Sequence, residues 1–104
     1  MGNLKKWYVY MLRCENDSIY TGITTDVEKR FQKHLKGEGA KYTRSRKPKE
    51  ICTIFEVENR SFATKLEIFI KKLSKKEKEL LILDNKNKKN KKNQMEKELK
   101  MKIN

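Results

Sequence analysis

Two different spacings of apolar residues alternate along this 104-residue chain. From Trp7 to Cys14 the run is strongly strand-forming, with Tyr8, Tyr10 and Leu12 on one face and Trp7, Val9 and Met11 on the other. Apolar residues on both faces predict a strand covered on both sides. Glu15-Asn16-Asp17-Ser18 carries turn chemistry, and Ile19 to Ile23 returns as the second strand of an antiparallel hairpin. The period then changes to that of a helix. Thr25 or Asp26 is placed to cap it, and Val27, Phe31 and Leu35 recur at i, i+4 and i+8 as the expected buried stripe. Arg30 and His34 share a neighbouring stripe one turn apart. Gly37 and Gly39 end this helix and open a basic loop that runs to Pro48.

A third strand is predicted over Ile51 to Glu58. Ser61 is expected to cap the next helix, whose apolar positions are Phe62, Ala63, Leu66, Phe69, Ile70 and Leu73. Ser74 followed three residues later by Glu77 has the form of a capping box, predicting a separate short helix over 75–83. Beyond Asp84 the chain is almost entirely Lys, Asn, Gln and Glu. Such a segment has too little apolar surface to offset its ordering entropy, so a disordered tail or frayed helix is expected over 84–104. The order ββαβαα implies an α+β domain over 1–83, a three-stranded mixed or antiparallel sheet flanked by helices. No internal repeat is present.

Charge changes this picture. The chain carries a net charge of +13, and 39% of its residues are charged. The tail from 84 to 104 accounts for +5, so residues 1–83 still hold +8. A domain this basic points to a polyanionic partner, most often nucleic acid (DNA, possibly RNA) and less often an anionic membrane surface. The alternative is a lysine-rich but merely solvated surface. No apolar run approaches the ~20 residues of a membrane span, and the N-terminus lacks the apolar core of a signal peptide. No membrane association is expected, and the chain reads as cytoplasmic. Cys14 and Cys52 lie far apart with no partner at metal-ligand spacing, so reduced, buried thiols are expected rather than a zinc site.

Several residues carry candidate chemistry. Cleaving a phosphodiester needs positive charge on the transition state, a base for the attacking oxygen and help for the leaving oxygen. The Arg30 guanidinium matches phosphate oxygens, and His34 can relay a proton; a plain basic helix surface would contain the same two residues. Glu67 shares a stripe with Ala63 and Ile70, where a carboxylate is costly without a cation. It would suit a hard divalent ion, or else a simple i, i+4 pair with Lys71. Tyr8, Tyr10 and Tyr20 either pack in the sheet or direct phenols at a phosphate or water. Tyr42 lies among Lys41, Arg44 and Arg46, a composition suited to nucleic-acid contact; Lys71 and Lys72 extend it on the later helix.

Taken together these residues resemble the GIY-YIG endonuclease superfamily, and within it the small stand-alone bacterial proteins. Tyr8-Val9-Tyr10 and Tyr20-Thr21-Gly22 match the two triplets that name the family, Arg30 its arginine, His34 the following His or Tyr, and Glu67 its metal-binding glutamate. The loop of residues 37–44, GEGAKYTR, resembles that of the stand-alone subgroup. The resemblance covers roughly residues 6–83. It implies a three-stranded antiparallel sheet and one Mg2+ or Mn2+ on Glu67. It also implies that Tyr10 and Tyr20 position or deprotonate water, His34 shares the proton relay and Arg30 holds the scissile phosphate. The substrate implied is DNA, in repair or recombination, with a protein partner for specificity as a further possibility. The chain departs from the family by Tyr8 for glycine, Thr21 for isoleucine and Ile23 where some relatives have lysine. Many relatives also carry an asparagine 12–15 residues after the glutamate; the nearest here is Asn85.

Overall fold

The structure is a computed structural model that describes residues 5–103, with side chains described through residue 89. Strand β1 (Trp7–Cys14) turns into β2 (Ile19–Thr24), followed by α1 (Val27–Leu35) and a short α2 (Lys41–Ser45). Strand β3 (Pro48–Val57), α3 (Arg60–Lys71) and α4 (Lys75–Ile103) complete the order. The sheet is antiparallel throughout, in the order β2-β1-β3. β1 takes the centre because it alone is apolar on both faces, and Val9, Tyr10, Met11 and Leu12 are all buried. The hairpin closes at Asp17, whose positive φ of 65° is one that short Asx side chains tolerate.

The two sheet faces differ in what covers them. On one, Val9, Met11 and Ile19 pack with Ala63 and Ile70 of α3 and Ile82 of α4 to form the apolar core. On the other, Tyr10 lies under α1 and α2, which bring His34 and Thr43 against it. At the far end of β1, Arg13 donates to both carboxylate oxygens of Glu79, at 2.8 and 2.7 Å, and ties the central strand to α4.

Several local expectations are corrected. The α1 stripe of Val27, Phe31 and Leu35 is only partly used: Leu35 is 49% exposed, and His34 is the buried residue of the helix. Two hydrogen bonds turn His34 inward, and the helix rotates with it. Asp26 caps α1 through Lys29 N–H. Asn59, not Ser61, caps α3, accepting from Phe62 N–H at 3.0 Å. The basic loop contains the single turn of α2, and β3 begins at Pro48, where the missing N–H matters least. The Ser74–Glu77 capping box forms reciprocally, at 2.9 and 3.1 Å. The helix it starts runs from Lys75 to Ile103, past the end at 83 expected from composition. Among the described residues no helix is long and apolar enough to cross a membrane.

Candidate active site

Cross-strand register builds the first part of the site. Tyr10 pairs with Gly22 and Leu12 with Tyr20, so Tyr10 and Tyr20 project from the same face of the hairpin one step apart. Their rings lie 6.2 Å apart between centroids. α1 lowers His34 onto both, at 5.8 Å from Tyr10 and 5.1 Å from Tyr20. The Tyr10 phenol oxygen is 2.8 Å from His34 Nε2, and His34 Nδ1 is 2.7 Å from the Thr43 hydroxyl. Tyr10 and His34 are each 1% exposed.

Electrostatics follow from that burial. Desolvation, with the Tyr20 phenol adding to it, pushes the Tyr10 phenol up to about 12, while the neighbouring Arg30 guanidinium acts in the opposite direction. Burial, and then the Arg30 charge, push His34 down to about 4. At neutral pH the imidazole is uncharged and the shared proton belongs to Tyr10. Among the described residues no carboxylate lies within ion-pair distance of Arg30. Arg30 lines a hollow with Thr24, Thr25, Asp26, Lys29 and Lys33.

Two glycines make room for the cluster. A side chain on Gly22 would stand 2.5 Å from the Tyr10 phenol oxygen and 3.0 Å from the Tyr20 ring, so the second triplet ends in glycine because the phenol lies across it. A side chain on Gly39 would overlap the His34 imidazole at Nδ1.

Tyr42 extends the aromatic set outward, 5.9 Å from Tyr20 between centroids, with the Arg46 guanidinium 4.3 Å above its ring. Lys41 and Arg44 are exposed beside it. Around the β2 edge lies a groove of about 280 Å³ lined by Ile19, Tyr20, Thr21, Tyr42, Lys71 and Lys78. The Thr21 hydroxyl is buried there with no hydrogen-bond partner. Lys72 is exposed on α3, and Tyr8 lines a separate hollow with Lys5, Lys6 and Lys29.

Glu67 comes from α3, on the opposite side of the sheet from His34. Its side chain is 20% exposed, and Lys71 holds it at 3.2 Å. The groove around β2, with Lys71 in its wall, links this helix to Tyr20 and Tyr42. Among the described residues no three His, Cys, Asp or Glu side chains converge. A single carboxylate such as Glu67 is the protein share that a cation ligated mostly by water and phosphate would use, and here it is paired with Lys71. Asn85 is spoken for: its amide donates to the Thr53 hydroxyl and to the Ile54 carbonyl, pinning α4 to β3. Cys14 and Cys52 are free thiols, Cys14 buried and Cys52 half-buried.

Thus Tyr10, Tyr20, Arg30, His34 and Tyr42 gather in one place, while Glu67 lies on α3 across the sheet, paired with Lys71. The sequence marked the loop 37–44 that holds Gly39 and Thr43 but not their contacts with His34, which arise between separate elements.

A hairpin whose paired tyrosines meet an Arg-and-His helix defines a GIY-YIG domain, and the chain belongs to that family: residues 6–81 match the GIY-YIG catalytic domain. Within the family it is similar to the UPF0213 proteins. That of Cupriavidus necator is 59% identical over 68 residues, 65% of this chain and 74% of the relative. That of Fusobacterium nucleatum is 51% identical over 76 residues, covering 73% and 76%. The solution NMR structure of the UPF0213 protein from Bacillus halodurans is 43% identical, covers 74% of this chain and 82% of that one, and superposes with a TM-score of 0.49.

Proposed function

We propose that this protein is a metal-dependent endonuclease that hydrolyses phosphodiester bonds in DNA, structure-selective or non-specific, in repair or recombination in the cytoplasm. The observation that carries the reading is the Tyr10–His34 hydrogen bond beside Arg30. A water approaching the Tyr10 oxygen meets a phenol whose proton already points at a neutral imidazole. As that water attacks phosphorus its proton passes to Tyr10, and the Tyr10 proton passes to His34 Nε2. Tyr10, rather than Tyr20, is then the phenol that accepts the proton, and Tyr20 positions the water. Arg30, which pairs with no carboxylate among the described residues, binds the non-bridging phosphate oxygens. Glu67 would hold Mg2+ or Mn2+, which would stabilise charge on the phosphate and leaving oxygen. Tyr42 and Arg46 offer a stacking surface for an unpaired base, while Lys41, Arg44, Lys71 and Lys72 neutralise flanking phosphates. A domain this small has little surface for reading sequence, so a protein partner would supply strict specificity.

A second reading keeps the binding without efficient cleavage. It draws on Asn85 being engaged in packing and on Glu67 being compensated by Lys71.

The test incubates wild type, Tyr10→Phe and Glu67→Ala with plasmid, single-stranded and branched DNA, and RNA, in Mg2+ or Mn2+. The enzyme reading expects metal-dependent cutting by wild type and at least a ~100-fold loss in each variant, as positioned proton transfer contributes about 10²–10⁴. Binding without cutting by wild type supports the second reading. Equal cutting by the variants overturns the assigned roles.

A further inference from the structure

Buried between α1 and α2 is a hydroxyl that the proposed chemistry has not used. Thr43 is 1% exposed, and its Oγ1 stands 2.7 Å from His34 Nδ1 and 2.9 Å from the Ala40 carbonyl oxygen. A threonine hydroxyl has one hydrogen to give. The Ala40 carbonyl oxygen can only accept, and it takes the Thr43 hydroxyl hydrogen beside the Thr43 and Arg44 N–H groups, which turns a Thr43 lone pair toward His34. Nδ1 must then carry the hydrogen of that contact. In a neutral imidazole the other nitrogen, Nε2, is left as a lone pair, and the Tyr10 hydroxyl 2.8 Å away donates into it. The four groups form one directed chain: Tyr10 O–H to Nε2, Nδ1–H to Thr43, Thr43 O–H to the Ala40 carbonyl.

The opposite direction is chemically inert for the proposed relay. If Thr43 gave its hydrogen to Nδ1, Nε2 would be protonated and would point a hydrogen at the phenol oxygen. His34 would then have no lone pair for the Tyr10 proton.

We infer that Thr43 is a positioning residue: anchored on Ala40, it sets the tautomer of His34 so that the imidazole accepts from Tyr10. The inference rests on the nuclease reading for its catalytic meaning, although the tautomer itself does not. Gly39 supports it from the other side. It lies so close to the ring that any side chain there would overlap Nδ1, so glycine leaves the imidazole the room to reach the hydroxyl. The remaining polar groups around His34 are the Tyr20 ring from β2 and the Arg30 guanidinium from α1. Neither dictates which nitrogen holds the proton.

The chain contains one histidine, so a 15N-labelled sample of the full chain yields a single imidazole spin system. At pH 7 the expected spectrum is that of a neutral ring protonated on Nδ1. Thr43→Val, similar in shape but without a hydroxyl, should populate the Nε2-protonated form, and Thr43→Ser should restore the wild-type pattern. In a cleavage assay Thr43→Val should lower kcat about 10- to 100-fold with little change in KM, within the range that positioned proton transfer contributes, and Thr43→Ser should recover most of it. An Nε2-protonated ring in wild type overturns the inference, and so does a Thr43→Val spectrum identical to wild type. Because the wild-type spectrum needs no variant to fold, it decides the tautomer by itself. If wild type shows the expected tautomer but cuts no substrate, the nuclease reading fails while the hydrogen-bond chain stands.

Discussion

Tyr10 and Gly22 face each other across the β1–β2 ladder, and the phenol of the first occupies the space a side chain of the second would need. The glycine of the second triplet is thus a cradle for the first triplet's tyrosine, and the hydrogen bond to His34 depends on it. Gly22→Ala should destabilise the fold by about 1–3 kcal/mol, the usual cost of overpacking an enclosed site. It should also lift the phenol from His34 and reduce any cleavage as strongly as Tyr10→Phe does. Urea denaturation beside a cleavage assay checks both. Gly37→Ala is the contrast. It meets open space at a positive φ of 76°, so it should cost only about 1–2 kcal/mol of backbone strain and leave the site intact.

Acid should weaken the fold earlier than its carboxylates alone would cause. His34 titrates near 6.5 when unfolded and near 4 when folded. Between those values the unfolded chain binds the extra proton, so stability is complete above 6.5 and falls as pH drops toward 4. The loss between pH 6.5 and 5 should be about 2 kcal/mol. Denaturation midpoints for wild type and His34→Gln over this range check it. The variant should be less stable at pH 7 but nearly flat with pH. The same neutral imidazole predicts that cleavage persists on lowering pH through 6.5.

Stacking and charge should separate at the nucleic-acid surface. Tyr42→Ala removes the ring that lies against Tyr20 and under Arg46. Affinity for single-stranded DNA should fall by about 1–3 kcal/mol at every salt concentration. Arg44→Ala removes only an exposed charge, so it should flatten the salt dependence of binding by about one counterion. Binding isotherms at several salt concentrations distinguish the two.

Asn85 is the nearest asparagine after Glu67, and its amide bonds to β3. Asn85→Ala should lower stability by about 1–2 kcal/mol, because two β3 acceptors lose a donor, and should leave the chemical step unchanged. A loss of kcat without a loss of stability would place Asn85 in catalysis after all.

Much of the architecture was legible from residue patterns because it depends on local spacing. Two-residue alternation marked the strands, and apolar content on both faces made β1 the one to bury. The Ser74–Glu77 pair announced the start of α4. The family triplets with Arg30, His34 and Glu67 marked the candidate chemistry. Local spacing misled where tertiary contacts outweighed it. Leu35 fits the buried stripe of α1, but His34 takes the interior because Tyr10 and Thr43 satisfy both its nitrogens. Ser61 is a good cap by type, yet Asn59 sits where the chain leaves β3 and accepts from the Phe62 N–H in the first turn of α3.

By itself, then, the sequence determined the element types, the basic character and the residues able to handle a phosphodiester, all properties of side chains and their periodicity. Only the tertiary structure decided that Tyr10 is the phenol hydrogen-bonded to His34, that Arg30 pairs with no carboxylate among the described residues, and that Glu67 lies on the other side of the sheet. It also decided that Thr43 and Gly39 lie against the His34 imidazole. Hydrogen-bond direction and steric clearance arise between distant elements, and no spacing along a chain encodes them.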